Sequence, residues 1–137
     1  MSDTNVELTR RLAGAYNAQD IETFIAACDP SVEFHAAIGA VGGVYRGHDG
    51  FYRDIADAWG DENSLEPEAY FDLGERTLAF YVLHARGRQS GAEVATPIAH
   101  LLTWREGLVV YGKSYIHRED ALGDLGVSED ELEPIEP

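Results

Sequence analysis

Between Gly91 and Arg118 the chain reads GAEVATPIAHLLTWREGLVVYGKSYIHR, two runs of β-branched, aromatic and apolar residues around a break at Arg105-Glu106-Gly107. This pattern predicts two strands joined as a hairpin. In the second run the odd positions are Val109, Tyr111, Lys113, Tyr115 and His117, and the even ones Val110, Gly112, Ser114 and Ile116. Neither set is polar throughout, so both faces of the sheet are expected to be covered. One face would close a core and the other would meet a second protein surface.

The remaining elements follow from the same kind of pattern. Leu8, Leu12, Ala15 and Tyr16 form a helical stripe within Val6 to Ala18. Asp20 reads as the N-cap of a second helix carrying Ile21, Phe24, Ile25 and Cys28, which Pro30 is expected to end. From Ser31 to Ala37, Val32, Phe34 and Ala36 alternate with Glu33, His35 and Ala37, as in a half-buried strand. Gly39, Gly42 and Gly43 predict a loop leading through Tyr45-Arg46-Gly47-His48-Asp49-Gly50 into a third helix. Phe51, Ile55 and Trp59 would be its buried side and Gly60 its C-cap. Pro67 suits an edge strand through Tyr70, Phe71 and Leu73, turned at Gly74-Glu75. Thr77 to Ala85 is the next strand, Gly87 to Gly91 turns again, and a short helix from Glu119 stops at Gly126. Three helices interrupted by one strand, followed by a four-strand meander, predict an α+β fold with helices on one face of a curved sheet. A bent sheet with a helix across it encloses a concave, apolar space suited to small ligands.

Composition changes this picture in three places. The 137 residues carry 25 acidic and 10 basic side chains, a formal charge of −15, so nucleic acid and anionic membrane are poor partners. Residues 1–127 are assigned to one domain. Residues 128–137, acidic and without a base, are expected to form a solvated, frayed tail. No apolar run reaches membrane-spanning length and no signal pattern opens the chain, so a cytoplasmic protein is expected. The single cysteine, Cys28, excludes an internal disulfide and reads as a small buried apolar residue.

Candidate chemistry is sparse. His35, His48, His84, His100 and His117 share no metal-ligand spacing, so no metal site is predicted. The glycine loop lacks the lysine and helix-opening hydroxyl of a phosphate cradle. Asp49 reads as complementing a helix dipole. His48 belongs to a local turn, and His35 is expected near the mouth of the cavity.

The segments AYNAQDIETF, DPSVEFH, VYRGHDG, ARGRQSGAEV, PIAHLLTWREG and YIHREDALGDLG together resemble the SnoaL-like branch of the nuclear transport factor 2-like superfamily, which also holds the ketosteroid isomerases. The resemblance implies a cone-shaped α+β barrel of cystatin-like type. Its curved antiparallel or mixed sheet would carry three N-terminal helices on its concave face and form a homodimer through its outer face. It implies no single activity, since the superfamily spans isomerases, polyketide cyclases, epoxide hydrolases, dehydratases and binding domains. Ketosteroid isomerase chemistry needs a carboxylate base and two oxyanion donors. By resemblance those positions fall on Phe34, Ala99 and Leu12, none of which can serve. The limonene-type epoxide hydrolase triad is likewise unmatched at Ser114, Leu83 and Ala85.

By the same resemblance Gly112, Ser114 and Ile116 line the cavity, and Tyr111, Lys113, Tyr115 and His117 join the outer, dimer-forming face. Placing Ala99 inward also turns Leu101 and Thr103 inward and His100, Leu102 and Trp104 outward, His100 then bonding in the interface. A shift of one residue would exchange the two sets, which leaves open which of His84, His100 and His117 face the pocket. The resulting expectation is a small-molecule pocket lined by Leu12, Tyr16, Phe34, Trp59, Leu83, Leu101, Ser114 and Ile116. It would take a mostly apolar ligand without a cofactor. The alternative is a cofactor-independent isomerase, cyclase or dehydratase in which Tyr16 donates to an oxyanion and His35 shuttles the proton. A third is an interaction domain whose sheet face does the work.

Overall fold

A computed structural model describes residues 4–36, 43–50, 62–86 and 92–137. Helix α1 (Asn5–Asn17) opens on Thr4, whose hydroxyl accepts from the Glu7 amide at 3.2 Å. Helix α2 (Ile21–Ala26) opens on Asp20, which accepts from the Thr23 amide at 3.2 Å. These side chains satisfy amides that the first helical turn leaves without partners.

Six strands follow: β1 (Cys28–Ala36), β2 (Gly43–Arg46), β3 (Glu62–Leu73), β4 (Arg76–Arg86), β5 (Glu93–Arg105) and β6 (Leu108–Tyr115). Their order across the sheet is β2-β1-β6-β5-β4-β3. Only β1 and β6 run parallel; the other neighbours are antiparallel. This is the mixed, curved open sheet of the expected α+β class. Residues 47–50 begin a helical stretch. The remainder of the expected third helix, including Phe51, Ile55 and Trp59, lies outside the described residues, as does the turn at 87–91. Helix α3 (Arg118–Leu125) ends on Gly126 in the left-handed region, at φ 71°.

The turns use the backbone that their residues allow. Glu106 (φ 52°) and Gly107 (φ 80°) both sit at positive φ in the β5–β6 hairpin, the geometry that matches strand twist. Pro67 does lie on an edge strand, beside a register shift between Pro67 and Ala69.

Three local expectations are corrected. Helix α2 ends at Ala26, and Pro30 lies inside β1, where the pairing with β6 is irregular between Cys28 and Glu33; an irregular stretch tolerates the missing amide. Val44-Tyr45-Arg46, read as part of a loop, is strand β2, paired with β1 from Glu33 to Ala36. The last ten residues, read as frayed, are tied down. Ser128 and Glu131 form a capping box on a single 3-10 turn. Ile135 exchanges two backbone hydrogen bonds with Tyr70 on the β3 edge, at 2.7 and 3.0 Å. Arg10 donates to the Glu136 carbonyl at 2.7 Å.

The two faces of the sheet hold different cores. On the helical face, Leu12, Ala15 and Phe24 pack on Val32, Leu102, Trp104 and Val109. Beside them Val6 and Ala13 pack on Leu65, Tyr70, Ala79, Tyr81 and Ile98. Thr77 ties this face together: its hydroxyl lies 2.8 Å from that of Thr9 and accepts from the Trp104 indole at 3.0 Å. All three side chains are buried, so their polar atoms need these partners. On the outer face, Phe71, Leu78, Phe80, Ala99, Leu101 and Tyr115 are covered by Ala121, Leu122 and Leu125 of α3 and by Leu132.

Candidate functional site

Antiparallel pairing fixes which side chains share the helical face. His100 pairs with Ser114, and Leu102 with Gly112; residues directly opposed in a ladder project to the same side. Gly112 points its missing side chain at Phe34 and Leu102, which puts Ser114, two residues on, on the same face. Gly112 and Ser114 of β6 are thus inward, whereas before the register shift it is Val109 that packs on the helical face. The β5 expectation is reversed: Ile98, His100, Leu102 and Trp104 face the helices, while Ala99 and Leu101 face α3.

His100 stands at the centre of this face. Its ring meets Phe34 edge-on, with centroids 6.1 Å apart and planes at 80°, and Tyr81 likewise at 5.3 Å and 74°. Tyr81 in turn packs edge-on against Tyr70 at 5.9 Å. Among the described residues the imidazole makes ring contacts and no hydrogen bond. Burial pulls its pKa from 6.5 down to about 4, because the apolar surroundings penalise the charged ring. His100 is therefore neutral at physiological pH, with one nitrogen able to donate and the other to accept. Burial likewise raises the Tyr81 phenol well above its ordinary range.

The other expected site residues divide. Leu12 is buried against α2 and β5. Tyr16 bridges both clusters of the helical face and packs on Phe24 at 6.2 Å. Phe34 and Leu83 are half-buried on the same face, and Ser114 is buried opposite His100. Leu101 belongs to the opposite core, under α3, so it cannot line a pocket on the helical side. Ile116 follows the end of β6 and is 45% exposed. Trp59 lies outside the described residues.

His35 projects from the outer side of β1. Its Nε2 lies 2.9 Å from Glu33, which also binds Arg46 at 3.1 Å, and its ring rests against Tyr111 at 5.0 Å. The hydrogen bonds from His35 and Arg46 hold the Glu33 carboxyl below its ordinary pKa. A proton shuttle between His35 and the helical face is thereby excluded, since Val32 and Phe34 point the other way. His48, rather than staying within its own turn, reaches β1 and lies 2.7 Å from the Cys28 carbonyl. Cys28 is buried, its thiol pushed up to about 12 by burial, and so is unreactive.

The outer face differs from expectation over β3 to β5, where α3 and Leu132 already occupy it. Tyr115 donates to Asp124 of α3 at 2.6 Å, and Lys113 to the same carboxylate at 3.1 Å. Arg118 donates to the Tyr81 and Ile98 carbonyls and to Glu68, its guanidinium over the Phe80 ring.

A concave region lies where β3 begins, β4 ends and β5 begins. It holds about 610 Å³ and is lined by Gln19, Asn63, Ser64, His84, Arg86, Glu93 and Val94, among others. His84 pairs with Glu66 at 2.7 Å, and Arg86 pairs with Glu93. This groove is open, and its lining mixes polar and apolar side chains, the Arg86–Glu93 pair among them. It lacks the aromatic walls and half-buried neutral imidazole of the helical face, which is the better candidate site. No group of three metal-ligating side chains occurs among the described residues, and no described helix is long and apolar enough to cross a membrane.

Residues 9–112 match the SnoaL-like domain. No curated protein matches the chain by sequence. Among solved structures, it superposes on an NTF2-like protein of unknown function from Burkholderia pseudomallei with a TM-score of 0.76 and 20% identity, over 89% of this chain and 97% of that one. TerC, co-crystallised with polyporic acid, gives 0.74 and 21% over 88% and 96%. A protein of ketosteroid isomerase-like fold from Catenulispora acidiphila, in complex with trimethylamine, gives 0.74 and 15% over 90% and 95%.

Proposed function

The chain belongs to the SnoaL-like domain family, and from that premise we propose that it binds a small, mostly apolar, ring-containing ligand on the helical face of its sheet. One observation carries the reading: a half-buried neutral imidazole, walled edge-on by Phe34 and Tyr81 and without a hydrogen-bond partner among the described residues. Aromatic walls supply contact area, and one unmet polar group orients what they hold. Leu12, Tyr16, Leu83 and Ser114 complete the proposed lining. That TerC was crystallised with polyporic acid is consistent with such a ligand in this fold.

A neutral hydroxyl is the natural partner for His100, since burying a charge against it would be costly. Binding of 2-naphthol and naphthalene, followed by native mass spectrometry and fluorescence, tests the reading. The protein should prefer 2-naphthol by at least about tenfold, because an unmade buried hydrogen bond is expensive. His100→Phe should erase the preference while still binding naphthalene. Binding of neither compound by the wild type would overturn the reading.

The same imidazole favours one second reading, a cofactor-independent isomerase, cyclase or dehydratase. Held neutral, His100 can accept a proton, with Tyr16 as the donor to a developing oxyanion. This takes the base from His35, which faces away, and gives it to His100. Exchange of deuterium into the α-carbon of 2-tetralone, catalysed by the wild type and lost in His100→Gln, is the expected result; no exchange with either rejects it. The reading also includes a homodimer, its contact on the strip around His35 and Tyr111 that α3 leaves uncovered. Light scattering should give twice the chain mass, reduced to one chain by Tyr111→Glu.

A further inference from the structure

We propose that Gly112 is the specificity-determining position of this pocket, setting its width by letting the Phe34 ring lie against β6. The inference rests on the ligand reading above and adds a residue that touches no ligand.

Phe34 and Gly112 are direct partners in the parallel β1–β6 pair. A Cβ on residue 112 would stand 2.6 Å and 2.9 Å from two carbons of the Phe34 ring and 2.9 Å from a Leu102 methyl. Carbon atoms ordinarily rest about 3.5–4.0 Å apart. The Leu102 methyl is the end of a flexible side chain and can turn away. The Phe34 ring is flat and faces residue 112 with two atoms at once, so it would have to lift by about 1 Å to restore normal contact.

Backbone geometry does not ask for glycine at this position. Gly47, Gly74, Gly107 and Gly126 occupy positive φ, and Gly112 is not among them. Glycine inside a strand weakens it, and often marks a place where another group approaches closely. Here the approaching group is the ring that walls His100 at 6.1 Å. Any side chain at 112 pushes that wall off the sheet and into the space beside the imidazole. Wide, flat ligands should then lose access before small ones do.

The test compares Gly112→Ala, Phe34→Leu and the double variant. In Gly112→Ala the NMR resonances of the His100 ring protons should move, because the edge-on Phe34 ring that shifts them has moved. Pyrene affinity should fall by at least about tenfold and indole affinity by less than about threefold, the size discrimination of a pocket narrowed by overpacking. Adding Phe34→Leu should restore pyrene. Phe34→Leu alone removes a wall and should weaken both probes. By widening the space it should raise the ratio of pyrene to indole affinity above that of the wild type, which keeps the test decisive should Gly112→Ala not fold. Unmoved His100 resonances in folded Gly112→Ala overturn the proposal. So do equal losses for pyrene and indole in Gly112→Ala, or a pyrene-to-indole ratio in Phe34→Leu below that of the wild type. If the wild type binds neither probe while the resonances still move, the ligand reading fails and the control of Phe34 by Gly112 stands.

Discussion

On the outer face of the sheet, Leu78, Ala99 and Ala121 are completely shielded from solvent, and Phe71 and Phe80 meet edge-on at 5.0 Å beneath α3. On the helical face, Tyr16, Phe34 and Leu83 stay half-buried, although their surroundings are as apolar. The outer core is finished: each large side chain touches others on every side. The helical face has buried ends, around Val32 and Ile98, and a middle in which rings stand edge-on to an imidazole. The difference separates two roles that a single sheet must fill. One face supplies the packing that keeps the domain folded. The other stands its rings edge-on around an imidazole and, on the ligand reading proposed above, gives up some packing to leave room beside it.

The largest effects should therefore come from the outer face. Phe80→Ala removes a ring that is 3% exposed and should cost about 3–5 kcal/mol, the usual range for a truncated buried aromatic. Phe34→Ala removes a ring of equal size from the hollow, where less contact is lost, and should cost about 1–2 kcal/mol. Urea denaturation of both variants measures the contrast. Equal losses would mean that the helical face is as fully packed as the outer one, and the hollow would disappear from the account.

The next effect separates the faces by charge. His100 titrates near 4 in the folded chain and near 6.5 when exposed. The folded state thus binds its proton less readily than the unfolded state does. Stability from this group is complete above pH 6.5 and is lost as pH falls from about 6.5 toward 4. A fall from 6.5 to about 4 corresponds to at most about 3–4 kcal/mol. His100→Phe should flatten this part of the stability profile, measured as urea midpoints at pH 7 and pH 4.5. An unchanged acid limb in His100→Phe would place the imidazole in water.

How much of this could be read from the chain depended on where alternation survives. The β5–β6 turn was legible because Gly107 interrupts two apolar runs, and the β3 edge because Pro67 lacks a donor. The inward side of β5 was not, because Ile98, Ala99, Leu101 and Leu102 are apolar on both faces, one packing on helices and the other on α3. Only the pairing of His100 with Ser114 and Leu102 with Gly112 decides it. A regular hairpin closed at Arg105 and Leu108 would set Ser114 opposite Ala99 and turn Ala99 inward. The register shift between Thr103 and Trp104, which no turn residue announces, turns His100 inward instead. Strand β2 was missed for a different reason: four residues beginning with glycine carry too little pattern to stand apart from a loop. His35 misled because its strand alternates cleanly, and the side it occupies is the one facing away from the helices.

The acidic tail shows how composition can hide an anchor. Eight acids after Arg118 suggested a solvated end, yet Leu125, Leu132 and Ile135 pack against the sheet. Leu125 and Leu132 close the outer core, while Ile135 reaches the helical side's cluster around Tyr70 and Tyr81. The tail therefore joins both faces across the β3 edge, and it also covers backbone groups that would otherwise invite another strand. Its contribution should be the smallest of those considered. Ile135→Ala keeps both backbone bonds to Tyr70 and loses part of one half-buried side chain, about 1 kcal/mol. Ile135→Pro also removes the amide that donates to the Tyr70 carbonyl at 2.7 Å, adding about 1 kcal/mol. Hydrogen exchange supplies the sharper reading. The Tyr70 amide, which donates to Ile135 at 3.0 Å, should exchange faster in Ile135→Pro, while the Leu78 amide under α3 keeps its protection. If both amides lose protection together, the tail holds the outer core as well as the edge, and the two faces are less independent than their packing implies.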